Sequence, residues 1–237
     1  MLTEKEQHLY SRQLLLPNFG EETQAKLKAA SVLVVGAGGL GSPLLLYLAA
    51  AGIGQLGIVD ADVVELSNLQ RQLLYKHSDI GEQKAKLAVA ELEQHNPYIQ
   101  LHCYPEKLTI KNAETLIAQY DIIVGALDNA ATRYLIDDTC KAFGKIYVHG
   151  SISQYEGQVS VFNPNTNFSY RDLFSEPPST DFASPVDKAV FAPLPGLIGT
   201  LMASEVIKLI TNQGQTLSGK LLMVNLLTNS FQTVDFS

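Results

Sequence analysis

Residues 32–60 read VLVVGAGGLGSPLLLYLAAAGIGQLGIVD, an apolar run, a glycine loop, a helix-like apolar run and a second apolar run that ends in an acid. That order decides the fold. A strand that feeds glycines, a helix after them and an acid-terminated strand make the opening βαβ unit of a nucleotide-binding sheet. The candidate phosphate-binding glycines are Gly36, Gly38, Gly39 and Gly41. The first ones allow a tight turn and a close approach of backbone N–H groups to a phosphate, and Gly41 permits close helix-to-strand packing. Asp60, at the end of the second strand, is placed to accept hydrogen bonds from ribose hydroxyls. The loop alone does not separate NAD from ATP.

Outward from this unit the alternation continues. An amphipathic opening helix precedes SVLVV, GEQKAKLAVAELEQHN is helical and leads to strand-like IQLHCY, and NAETLIAQ is a short helix before the strand YDIIVGA. A further helix, residues 130–143, precedes KIYVHG. Such alternation predicts an α/β fold: a Rossmann-like, mostly parallel sheet with helices on both faces. From Gly157 the pattern changes, because GQVSVF, LLMVNLL and FQTVDF read as antiparallel strands that extend the sheet. Residues 164–195 hold six of the ten prolines and predict a long loop near the active site. The closing helix, residues 196–210, places Leu197, Leu201, Ile207 and Ile210 on its expected core face. The whole reads as a single domain over residues 1–237.

Composition narrows the partners. With 46% hydrophobic and 17% charged residues the chain is expected to be globular, and a net charge of -7 disfavours a nucleic-acid backbone. The opening MLTEKEQHLYSRQ lacks the layout of a secretory signal, and the apolar run at residues 44–51 is too short for a bilayer. The expected compartment is the cytoplasm, with no membrane partner. Cys103 and Cys140 specify neither a disulfide framework nor a metal cluster, and five scattered histidines show no ligand spacing.

The polar residues beyond Asp60 bear on the ligand. DADVVELSNLQRQ brings Asn68 and Arg71 just after the ribose-binding strand, and SDIGEQK puts Lys84 in the first turn of the next helix. Hydride chemistry has no need of such a cluster, whereas a triphosphate under attack needs cations and amides to hold it and to neutralise departing pyrophosphate. Asp128 follows YDIIVGAL, just past a strand's carboxyl end, where a carboxylate suits magnesium; its other reading is the N-cap of the next helix.

In YSRQLLL, GAGGLGS, DADVVELSNLQRQ, DIGEQKA, ALDNAATRYLID, GQVSVF and APLPGLIGTLMASEVIKL the sequence resembles the ThiF/MoeB/HesA adenylyltransferases, relatives of ubiquitin-activating enzymes. The resemblance implies an ATP-dependent enzyme that adenylates the C-terminal glycine of a small ubiquitin-like sulfur-carrier protein of molybdopterin or thiamine type, giving acyl adenylate and pyrophosphate. By position it assigns Asp60 to ribose, Asn68, Arg71 and Lys84 to phosphates, and Asp128 to Mg2+. It also sends Arg12 into the active site of the other subunit of a homodimer, the alternative being a local pair with Glu6.

The sequence departs from the family in two respects. Where many members carry paired zinc cysteines this chain has SYRDLF and ends VDFS, so no structural zinc is expected and the tail hairpin must be held by Leu222, Val224 and Phe231. The loop also lacks a cysteine that would link covalently to a carrier. Two rivals stand beside adenylation. An NAD(P)-dependent oxidoreductase explains the glycines and Asp60 but not the cationic cluster; a catalytically silent partner subunit has no need of that cluster.

Overall fold

The computed structural model describes residues 2–166, 168–175 and 189–236. Its centre is one sheet of eight strands: β1 (Ser31–Val35), β2 (Gln55–Val59), β3 (Gln100–Tyr104), β4 (Ile122–Gly125), β5 (Ile146–Ser153), β6 (Glu156–Phe162), β7 (Lys220–Asn225) and β8 (Ser230–Asp235). The spatial order is β3-β2-β1-β4-β5-β6-β7-β8. The pairs from β3 to β5 are parallel and those from β5 to β8 antiparallel, as the change of pattern at Gly157 predicts. The direction in which successive strands are added reverses between the parallel neighbours β1 and β4, which opens a crevice at their carboxyl ends.

Successive strand residues face opposite sides, so each strand feeds two cores. Val32 and Val34 of β1 join the cluster under α4 (Gly41–Ala51), α5 (Lys84–His95) and the long C-terminal helix α9 (Pro193–Thr211). Leu33 and Val35 join a second cluster with Tyr120, Tyr134, Ile136 and Tyr147, beneath α6 (Ala113–Ile117) and α7 (Ala130–Phe143). Helices therefore cover both faces.

Three details differ from the sequence reading. The opening helix is three pieces, α1 (Glu4–Leu9), α2 (Ser11–Leu14) and α3 (Gly20–Ala29), with Pro17 and the left-handed Asn18 between the last two. The closing helix starts earlier, at Pro193, because proline fits the first helical turn. Its innermost stripe is Leu194, Ile198, Met202 and Val206, while Leu197, Leu201, Ile207 and Ile210 pack only partly. Apolar residues surround this helix, so periodicity could not choose the face. The sheet chose it: Met202 lies over Gly150 and Ile198 over Gly157, where any side chain would collide.

The proline-rich stretch is not wholly irregular. It contains a 3-10 turn, Pro164–Thr166, and a one-turn helix α8 (Tyr170–Leu173); residues 167 and 176–188 lie outside the described residues. In SYRD the Ser169 N–H and Oγ–H both donate to Asp172 Oδ2 at 2.8 Å, a capping box. The buried Asp137 accepts the N–H groups of Tyr170 and Arg171, and Arg171 forks onto Asp138 at 2.6 and 2.7 Å. In the tail hairpin Val224 is buried and Leu222 half-buried, but Phe231 is exposed because β8 is an edge strand whose side chains mostly face solvent.

Candidate active site

A cavity of about 970 Å³ opens at the carboxyl ends of β1, β2, β4 and β5. Its walls include Gly36, Gly38, Gly39, Asp60, Arg71, Lys84 and Asp128. Residues distant in sequence converge there because each closes or follows a parallel strand, and parallel strands end on the same edge.

The glycine loop crosses the crevice in a conformation that the protein enforces. Gly36 has φ +102°, and a Cβ on it would lie 2.3 Å from the Ala126 carbonyl oxygen. Gly41 is not in the cavity wall; a Cβ there would lie 2.1 Å from the Gly36 carbonyl oxygen, so this glycine serves the packing of α4 onto β1. Gly38 differs, since a Cβ there would meet only the Gln72 side chain, at 3.5 Å. The protein itself leaves that position room for a methyl group.

Asp60 secures the loop. Its Oδ2 accepts the Ala37 N–H at 2.8 Å and its Oδ1 the Asp62 N–H at 2.8 Å. Burial pushes the carboxyl up from its ordinary range, against those two hydrogen bonds and the Lys84 charge. The Tyr75 hydroxyl donates to the Ala37 carbonyl at 2.7 Å and pins the loop from the other side. Lys84 opens α5 with its side chain only 7% exposed, 3.3 Å from the outward-facing Asp62 carboxylate. Arg71 lies against Gly39 and donates Nη1 to the Ser67 carbonyl at 3.2 Å.

Asp128 is exposed at the cavity, past the end of β4. It does not cap α7: Asn129 does, through Oδ1. Besides Gly41, two more expected residues are not in the wall. Asn68 is buried in the 3-10 turn Leu66–Asn68, where its Oδ1 accepts the Glu65 N–H at 3.2 Å. Arg12 is exposed on α2 and takes no part in this chain's cavity. Its alternative partner Glu6 is buried and bonds Lys28 at 2.6 Å instead.

The wall also holds Gln72 and Arg133, which the sequence reading did not single out. Gln72 is 5% exposed, and Oε1 of Gln72 and Nε of Arg133 are buried with no hydrogen-bond partner among the described residues. Gln72 stands beside Arg71 in SNLQRQ and Arg133 follows Asp128 in ALDNAATRYLID, so the only available signal was proximity to the chosen residues.

A doubly wound edge, a glycine loop, an acid on the second strand and cations around the mouth define a nucleotide-binding protein of the Rossmann-like class. The ThiF family pattern matches residues 10–237, and the chain belongs to that family. It is 45% identical over 236 residues to a sulfur carrier protein adenylyltransferase of Thermus thermophilus, covering 97% of this chain and 87% of that protein. It is 47% identical to an adenylyltransferase and sulfurtransferase MOCS3 of Arabidopsis thaliana, covering 95% of this chain and 49% of the relative. Among solved structures, PaaA superposes with a TM-score of 0.84 at 23% identity, over 99% of this chain and 75% of the other. E. coli MccB with MccA-N7isoASN gives 0.84 at 22%, over 98% and 72%. The likeness to these structures is one of fold.

Proposed function

We propose that the protein adenylates the C-terminal glycine of a ubiquitin-like sulfur-carrier protein at the expense of ATP, residues 1–237 acting as one ATP-binding unit. The observation that carries this reading is the meeting of the glycine loop, Asp60, Arg71, Lys84 and Asp128 in one cavity. Family membership and the activities named for the relatives support it.

The residues suit the chemistry. A carboxylate is ionised at neutral pH, so no Ser, Cys or His has to be activated. One carboxylate oxygen bonds to the α-phosphorus while the bond to the bridging oxygen breaks, and that electron pair leaves with pyrophosphate; no proton is transferred. The protein's task is alignment and charge neutralisation. In this reading Asp60 holds the ribose, while loop N–H groups, Arg71 and Lys84 hold the phosphates. Asn68 acts from behind by shaping the turn that carries Arg71.

Asp128 would hold Mg2+. The fit is one of donor chemistry: an exposed carboxylate stands at the mouth, and no group of three or more His, Cys, Asp or Glu that could hold a metal occurs among the described residues. Magnesium takes one or two carboxylates and completes its shell with phosphate and water. When bound it supplies positive charge to the polyphosphate.

Arg12 would complete the neighbouring site of a cytoplasmic homodimer, since it is exposed and does not line its own chain's cavity. Carrier-dependent exchange of labelled pyrophosphate into ATP tests the whole reading. Tight NAD binding without exchange would favour the oxidoreductase, and absence of both activities the silent subunit.

A further inference from the structure

Resting on that reading, we infer that Arg133 is the receptor for the carrier's terminal carboxylate, holding the nucleophile on the side of the cavity away from Arg71. The buried Lys84 pairs with Asp62, and the half-buried Lys28 and Lys208 pair with Glu6 and Glu205. Arg133 is half-buried, and among the described residues it makes one hydrogen bond, from Nη2 to the Leu127 carbonyl at 2.6 Å. Its Nε is buried without a partner, and no carboxylate is paired with it among those residues. A guanidinium in such a place is costly unless an anion arrives.

Position says which anion. Arg71 packs on Gly39 and Gly39 on Pro195, so Arg71 belongs to the sheet face covered by α4 and α9. Arg133 lies in the first turn of α7, on the opposite face, and its charge joins burial in holding the imidazole of His149, on β5, well below its ordinary range. The cavity thus has a guanidinium from each sheet face, and Ser151 and Ser153 of β5 line it as well. In-line displacement at phosphorus requires the nucleophile to enter opposite the leaving group. If Arg71 and Lys84 hold the departing pyrophosphate, the carboxylate enters from the other side, where Arg133 stands. The Nη2 bond ties the guanidinium to the Leu127 carbonyl, one residue before Asp128 in the chain.

The test is a binding cycle between protein and substrate. Calorimetry compares wild type, Arg133→Gln and Arg133→Lys against a semisynthetic ubiquitin-like sulfur carrier ending in glycine, as the free acid and as the C-terminal amide. α,β-Methylene ATP is present throughout, so that nothing reacts. Wild type should prefer the acid by about tenfold, the strength of one charged hydrogen bond. Arg133→Gln should lose that preference and Arg133→Lys keep part of it, each holding α,β-methylene ATP within about twofold of wild type. An unchanged acid preference in Arg133→Gln overturns the inference, and so does a loss of nucleotide affinity in its place. A wild-type protein that binds neither carrier form would instead sink the adenylation reading itself.

Discussion

The Asn129 side chain accepts the Thr132 N–H at 2.9 Å, so the carboxylate of Asp128, one residue earlier, caps nothing and stands at the cavity mouth. The two neighbours should separate cleanly on mutation. Asp128→Ala should lower adenylation by about a thousandfold or more, several kcal/mol of barrier, with the thermal midpoint little changed. Asn129→Ala should cost about 1 kcal/mol of stability. Turnover near normal in Asp128→Ala would remove it from the chemistry.

Gly36 and Gly38 should fail in different ways. Gly36→Ala forces a Cβ onto the Ala126 carbonyl at φ +102°, and a loss of several kcal/mol in chemical denaturation is expected. Gly38→Ala meets only the Gln72 side chain at 3.5 Å. It should fold with stability within about 1 kcal/mol of wild type, yet bind ATP about tenfold or more weakly, because the methyl occupies ligand space. Unchanged ATP affinity in that variant would show that the phosphates do not touch the loop at Gly38.

Arg12 is exposed and outside its own chain's cavity, which makes its action across a dimer testable by mixing. Arg12→Ala and Asp128→Ala, each inactive alone, should recover activity when subunits exchange. A mixed dimer then has one site with both defects and one with neither. If exchange is demonstrated and the mixture stays dead, the shared site is wrong.

The N-terminal helices are tied down by a pH-dependent contact. Burial raises the Glu6 carboxyl, but hydrogen bonds from Lys28 and Thr3 outweigh it and hold the group below its ordinary 4.5. A lowered folded value means stability that is fully present above 4.5 and lost as pH falls through the folded value. Glu6→Gln should therefore be less stable than wild type at pH 7, by about 1–3 kcal/mol, with the gap closing in acid. Urea unfolding of both proteins across that range checks it; a gap constant down to pH 3 would mean packing, not charge, sets the difference.

SYRD closes α8 through Ser169 and Asp172, and Asp137 and Asp138 fasten that helix to α7. We expect purified protein to contain no stoichiometric zinc and to unfold at the same temperature in chelator. Elemental analysis giving one zinc per chain would refute this.

Local pattern was enough for the order of the strands, the parallel-to-antiparallel change at Gly157 and the placing of Gly36, Gly38, Gly39, Asp60, Arg71, Lys84 and Asp128 at one cavity, because strands, glycine turns and strand-end acids are written over short spans. It was not enough where neighbours compete through space. The buried face of α9 was set by Gly150 and Gly157 on the sheet, since an all-round apolar helix has no periodic bias of its own. The choice of Asn129 over Asp128 as cap depended on a single residue of helix start. Glu6 found Lys28 and not Arg12 because α1 packs beside α3. Gln72 and Arg133 became visible only through the cavity wall they share and through buried polar atoms with no partner among the described residues, properties that belong to the folded surroundings and to no residue in the chain by itself.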